Sequence, residues 1–137
     1  VCYHDPCMLG RLSEAYVHWE GEIKPFGRHV PEKQWRRGEK GVYSEPRELI
    51  SAIPGVKLSE AVRNYENSYC CGAASAETDP EMSAHAAAER RRELRSTGAK
   101  TVVSCCHKCE SALAGDGLES VDLCVLLARC LKEGGAK

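Results

Sequence analysis

Cys106-His107-Lys108-Cys109 sets two thiols at a spacing that lets both sulfurs face one metal. Alone, that tetrad fits zinc, an iron–sulfur cluster or a redox dithiol. The adjacent pair Cys70-Cys71 adds two thiolates whose side chains diverge, which suits a large multi-iron object better than one small tetrahedral ion. Cys7 contributes a further thiol from an Asp5-Pro6 turn. A closed zinc site needs four ligands, so zinc would leave one of these thiolates over. Dithiol exchange through Cys106 and Cys109 would leave Cys7, Cys70 and Cys71 idle. Soft thiolates in this number fit iron–sulfur chemistry, with a structural zinc-binding interaction domain as the alternative.

The remaining cysteines read differently. Cys2 falls in a predicted strand and is expected to be a small buried hydrophobe. Cys124 and Cys130 fall on different faces of the last predicted helix, as core or surface thiols. Cys105 alternates against Cys106 and is expected to point into the sheet core, while standing nearest as a replacement ligand. His4 and His107 flank the candidate ligands: each either donates protons or hydrogen bonds near sulfur, tuning its potential, or simply packs or caps. His18, His29 and His85 read as surface groups. Asp5-Pro6 is expected to shape its turn, Arg11 and Lys108 either to offset cluster charge or to be ordinary exposed basic residues, and the run Glu89 to Glu93 to be a solvated helix face.

Composition narrows the setting for this chemistry. Nine cysteines in 137 residues is an odd count, spread over a chain long enough to bury a core, unlike a small secreted disulfide scaffold. Thiols so placed are expected to persist in a reducing compartment as metal ligands. A formal net charge of -1 offers no footprint for nucleic acid. No apolar run is long enough to span a bilayer, and no signal-peptide pattern is present. Cytoplasmic placement is expected, free or peripheral to a membrane complex. The chain begins at Val1 with no initiator Met, which reads as a piece of something longer.

The elements that must position these cysteines alternate between short strands and helices, which predicts an α/β fold: a small parallel sheet flanked by helices. Val1 to His4 predicts a strand running into Asp5-Pro6-Cys7. A helix is predicted from Ser44, with Pro46 in its first turn, Leu49, Ile50 and Ile53 on one face, and a stop at Pro54-Gly55. Val56 to Leu58 begins another predicted strand. Asp79 caps a long helix with Pro80 at its first position and Gly98 past its end. Thr101 to Val103 predicts a buried strand, and a last helix is predicted from Val121 to Lys132, stopping at Gly134-Gly135. Cys7 and the Cys106/Cys109 pair then lie beyond the carboxyl ends of strands, which is where sites form in parallel sheets and where the cluster pocket is expected. Residues 12 to 42 break the pattern. Trp19, Phe26 and Trp35 among Arg28, Arg36, Arg37 and Lys40 suggest a docking or substrate-facing loop inserted in one domain, residues 1–137.

In order, Tyr3-His4-Asp5-Pro6-Cys7-Met8-Leu9-Gly10-Arg11, Gly41-Val42-Tyr43-Ser44-Glu45-Pro46-Arg47, Cys70-Cys71-Gly72 and Cys106-x-x-Cys109 resemble the cysteine-rich CCG domain. That family includes the catalytic subunits of heterodisulfide reductase and the iron–sulfur subunits of anaerobic glycerol-3-phosphate, glycolate and lactate oxidation systems. The resemblance implies a paired-cysteine pocket, which in heterodisulfide reductases carries a noncubane [4Fe–4S] cluster that cleaves a disulfide. It implies an oxidoreductase subunit that passes electrons to a disulfide, a quinone or a partner redox subunit, with Cys7, Cys70, Cys71, Cys106 and Cys109 as ligands. Such domains commonly occur in pairs behind a ferredoxin-like domain, so the chain reads as the C-terminal portion of a larger subunit. Other redox domains and a thiol, disulfide or anionic small molecule are the implied partners. The sequence departs from relatives in three places: a longer stretch between Cys7 and Cys70, Ala73-Ala74-Ser75 where further glycines are usual, and Cys105 beside Cys106.

Overall fold

The computed structural model describes residues 1–134. In chain order its elements are β1 (Cys2–Tyr3), β2 (Glu22–Lys24), β3 (Arg28–Val30), α1 (Ser44–Ser51), α2 (Pro80–Ser96), β4 (Thr101–Ser104), α3 (His107–Leu113), β5 (Glu119–Asp122) and α4 (Leu123–Gly134). The predicted α/β class is what folds: a three-stranded parallel sheet in the order β1-β4-β5, with helices on both faces.

β4 is central because its β-branched Val102 and Val103 can be buried on both faces at once. Cys2 pairs with Val102 and Tyr3 with Val103 on one side, and Val103 pairs with Val121 on the other. The His4 amide donates to the Val103 carbonyl at 2.8 Å and carries the ladder one residue further. Strand side chains alternate between faces, so neighbours enter different cores. Cys2, Val102 and Cys106 pack with Leu94 of α2 and Cys109 and Leu113 of α3. Tyr3, Val103, Cys105 and Val121 pack with Ile50 of α1 and Leu123 and Leu126 of α4. Each such fully buried aliphatic side chain is worth about 1.5–3 kcal/mol of transfer free energy.

Helix ends follow their local chemistry. Asp79 accepts from the Met82 amide at 2.9 Å, Pro80 takes the first position of α2, and Gly98 follows the helix with φ of +77°. α1 also starts at Ser44 as predicted, with Ile50 and Ile53 buried, whereas Leu49 is half exposed.

Other expectations are corrected. Val121 lies in β5, not in the last helix. The strand is imposed by pairing with β4, and α4 starts only after Asp122, whose carboxylate accepts from the Cys124 amide at 2.8 Å. The predicted stop at Gly134-Gly135 extends past the described residues. Val56 to Leu58 form no strand. That stretch reaches β1 through a single parallel bridge, Cys2 to Ser59, with the Ser59 amide on the Val1 carbonyl at 2.8 Å. A helix not anticipated, α3, begins inside the Cys106–Cys109 tetrad.

Residues 12–42 contain a short antiparallel hairpin, β2 and β3, turned by Pro25-Phe26-Gly27. Its neck closes where the Val42 amide donates to the Leu9 carbonyl at 3.2 Å and Tyr43 Oη donates to the Gly38 carbonyl at 2.6 Å. Gly41 is required there, since a Cβ would sit 2.1 Å from the Gly10 carbonyl oxygen. His29, expected as a lone surface group, sits instead between Trp19 and Trp35, with ring centroids 4.9 and 5.3 Å away. Lys33 lies over the Trp35 ring at 4.5 Å, so these aromatics form a small cluster of their own.

Candidate metal centre

The framework beneath the cysteines is a buried ion network joining distant parts of the chain. Arg47 of α1 donates to both carboxylate oxygens of Asp5, at 2.6 and 2.9 Å, and to both of Glu60, at 2.8 and 3.0 Å. It also donates to the Tyr43 carbonyl at 2.9 Å and lies 4.0 Å over the Tyr65 ring. Asp5 accepts the Tyr65 amide at 2.9 Å. Asp5 therefore does more than shape a turn: it anchors the segment that leads to Cys70. Arg11 ties that segment again, donating to the Glu66 carbonyl at 2.9 Å and the Ser68 carbonyl at 2.7 Å.

On this frame three loops bring their cysteines together. β1 and β4 are parallel, so Cys7 and Cys106 follow from the same end of the sheet. Cys106 precedes α3, and one turn later Cys109 points inward and is buried. Cys71, also buried, places its sulfur 3.1 Å from that of Cys109, and the two are free thiols. Cys70 is exposed, and its sulfur accepts the Gly72 amide at 3.3 Å. Gly72 turns the chain at φ of +83°, and a Cβ there would sit 2.3 Å from the Ser83 carbonyl oxygen of α2. Only glycine permits both, which is the local reason for the glycine after the paired cysteines. Cys105 lies across the sheet, accepting from Tyr3 Oη at 3.6 Å, and is directed away from the other thiols as its alternation with Cys106 requires.

The electrostatics follow from this crowding. The thiol of Cys71 is pulled down to about 4, first by a hydrogen bond from Cys109 and then by His4 and the Ala73 amide, against the cost of burial. Cys109 is pushed up by the same pairing and by burial, so the pair shares one proton between two sulfurs. Burial raises Cys7, and Cys70, Cys71 and Cys106 raise it further, while Arg11 opposes them. Deprotonated together these groups repel, a cost that a bound cation offsets.

The two candidate histidines are in different surroundings. His4 is buried, and one of its ring nitrogens lies within 4.8 Å of the sulfurs of Cys71 and Cys109. His107 is exposed, at the start of α3, beside a shallow groove lined by Ala73, Ala76, Ala84, Ala87 and Ser111. The solvated face expected for Glu89 to Glu93 is corrected at two positions. Arg90 is fully buried and Glu93 nearly so, because α2 turns both toward the sheet. Arg90 donates through Nε to His4 Nδ1 at 3.1 Å and through Nη1 to Glu93 at 2.7 Å and to the Arg63 carbonyl at 2.8 Å. Sequence reasoning missed Arg90. The one usable signal was its four-residue spacing from Leu94 on the inner face of the helix.

Fold and site together define a parallel α/β domain with a thiol-rich centre at one end of its sheet. The profile of the CCG cysteine-rich domain matches residues 27–114, and the chain belongs to that family. Similar relatives are heterodisulfide reductase subunits D that act in dihydromethanophenazine:CoB–CoM heterodisulfide reductases. That of Methanosarcina mazei is 34% identical over 123 residues, 88% of this chain and 23% of its own. That of Methanosarcina acetivorans is 32% identical over 140 residues, 96% of this chain and 27% of its own. A probable iron–sulfur-binding oxidoreductase of Bacillus subtilis, FadF, is 34% identical over 73 residues, 53% of this chain and 6% of its own. The chain thus spans about a quarter of the length of its reductase relatives. No solved structure matches it. Among the described residues, no helix is long and apolar enough to cross a membrane.

Proposed function

We propose that this chain is the iron–sulfur electron-transfer module of a heterodisulfide-reductase-like oxidoreductase, with Cys7, Cys70, Cys71, Cys106 and Cys109 holding a [4Fe–4S] cluster, of cubane or noncubane type. The observation that carries the reading is the convergence of thiols from three chain segments, with the Cys71 and Cys109 sulfurs 3.1 Å apart and unjoined. The donor set fits the group. Soft thiols from three segments, two of them buried in sulfur–sulfur contact, outnumber the ligands of a closed zinc site. When bound, such a cluster supplies reversible one-electron storage. The chain's own residues hold the thiolates close, exclude water from Cys71 and Cys109, and present His4 and His107 to tune sulfur or donate protons. Electrons pass to a disulfide, a quinone or a partner redox subunit of a larger complex, in the cytoplasm or at the face of a membrane complex. Anaerobic analysis of iron and acid-labile sulfide tests this directly. Broad brown absorbance with both elements is expected, and a colourless protein with one zinc would replace the reading with the structural alternative.

In the same reading residues 1–137 act as one domain, and the 12–42 segment is an insertion that faces the partner or an anionic substrate. Phe26 supports it: at the hairpin tip it is fully exposed and held at φ of +64°, a conformation that costs a bulky side chain energy. Arg28, Arg36 and Arg37 supply the charge. Replacing residues 14–40 with a short Gly/Ser bridge leaves the Val42–Leu9 neck contact in place. The cluster is expected to assemble in this deletion while reduction by the native partner falls at least tenfold. Electron transfer at the full rate would show the segment to be decoration.

A further inference from the structure

One ring nitrogen of His4 and the sulfurs of Cys71 and Cys109 lie within 4.8 Å of one another, the His4 ring is hydrogen-bonded to Cys71, and at first sight the three form a metal site. The hydrogen bonding of His4 argues otherwise. An arginine side chain has donors and no acceptor, and it stays protonated in proteins. Arg90 Nε donates to His4 Nδ1 at 3.1 Å, so Nδ1 must be the bare, accepting nitrogen of the ring. The proton of the neutral imidazole is then on Nε2. A histidine that ligates through Nε2 needs the opposite arrangement, with Nδ1–H donated outward to a carbonyl or carboxylate. His4 meets a cation there instead.

We propose that Arg90 is a positioning residue that locks His4 in the Nε2–H tautomer, making His4 a hydrogen-bond donor to the Cys71 sulfur and excluding it from the metal's ligands. The inference rests on the cluster reading above for its redox consequence, but the lock itself does not need a cluster. Arg90 is held rigidly enough for the task. It is fully buried, and Nη1 is fixed by Glu93 at 2.7 Å and the Arg63 carbonyl at 2.8 Å. Glu93 is in turn held by the Arg63 backbone amide at 2.8 Å and by Arg63 Nε at 3.0 Å. His4 is pinned from the backbone by the β4 ladder. A donated N–H stabilises the more negative, reduced state of a thiolate-bound centre, so the lock raises its potential.

The test has two arms. Nitrogen NMR of the as-purified protein labelled with ¹⁵N-histidine reads the tautomer whether or not metal is present. A proton on Nε2 and a bare Nδ1 are expected, and a proton on Nδ1, or a ring nitrogen bound to metal, would overturn the lock. The second arm is a redox titration of the cluster in a double-mutant cycle. Arg90→Met should lower the midpoint potential when His4 is present, and by clearly less in the His4→Gln background, where the amide donor has no tautomer to lose. Equal shifts in both backgrounds would mean that Arg90 acts only by its charge, and the proposal would be wrong. Should Arg90→Met fail to fold, Arg90→Lys keeps the cation beside Glu93 while removing Nε, and the same comparison applies. Absence of iron and sulfide would defeat the proposed function alone, because the first arm still decides the tautomer.

Discussion

Replacing Cys71 or Cys109 with serine is expected to abolish stable cluster binding. These two thiols are buried, are in sulfur–sulfur contact, and come from segments that only the tertiary fold brings together. Serine keeps the volume but is a hard, neutral donor where soft thiolate is required. The loss in metal affinity should exceed the roughly 10–100-fold that removal of a supporting hydrogen bond costs. Iron content and the electron-paramagnetic-resonance signal of the reduced protein measure it. Serine at Cys7, Cys70 or Cys106 should also lower iron or alter the signal, whereas Cys2, Cys124 and Cys130 should be replaceable without effect on either. Cys105 belongs with this silent group, since it faces the opposite core beneath Tyr3. Two of the five primary variants with full iron and an unchanged signal would break the ligand assignment.

Asp5→Ala should produce a large loss of stability. The substitution strands a buried guanidinium that Asp5 now meets with two hydrogen bonds, and leaves it Glu60, which is only about two-thirds buried. Removing one partner of a buried ion pair costs about 3–5 kcal/mol, mostly through the uncompensated charge that remains. For a domain of this size that corresponds to a drop in Tm on the order of 10–20 °C. The Tyr65 amide also loses its acceptor, so the approach to Cys70 loosens as well. The double variant Asp5→Ala with Arg47→Met should recover much of the loss, because no buried guanidinium is then short of a partner and Glu60, about one-third exposed, can turn to water. Calorimetry decides the matter. A single variant that melts within a degree or two of the parent would return Asp5 to the role of a turn-former.

Legibility in the sequence varied with how local each signal was. Asp79, Pro80 and Gly98 act through backbone groups one turn away, so the ends of α2 could be read without knowing the fold. Strand alternation alone predicts Cys105 in the sheet core, and the structure places it there. Val121, Val125 and Leu126 keep a helical spacing, which predicts a helix that includes Val121. Pairing with Val103 overrode that spacing, since a central strand needs a second neighbour to satisfy its backbone. The charged run Glu89 to Glu93 read as solvated because composition carries no information about a distant partner.

What the sequence alone determined is the chemistry available: which residues are thiols, how they are spaced, where helices can begin and end, and which strand is apolar enough to be central. These follow from side-chain type and from backbone geometry over a few residues. The tertiary structure decided which of those groups meet. It set Asp5 on Arg47 and Cys71 on Cys109, and it buried Arg90 against His4, each across tens of residues of chain. No local rule favours those pairs. A buried charge or thiolate acquires its meaning from the partner that offsets its desolvation, and that partner is chosen by the packing of the sheet and its helices.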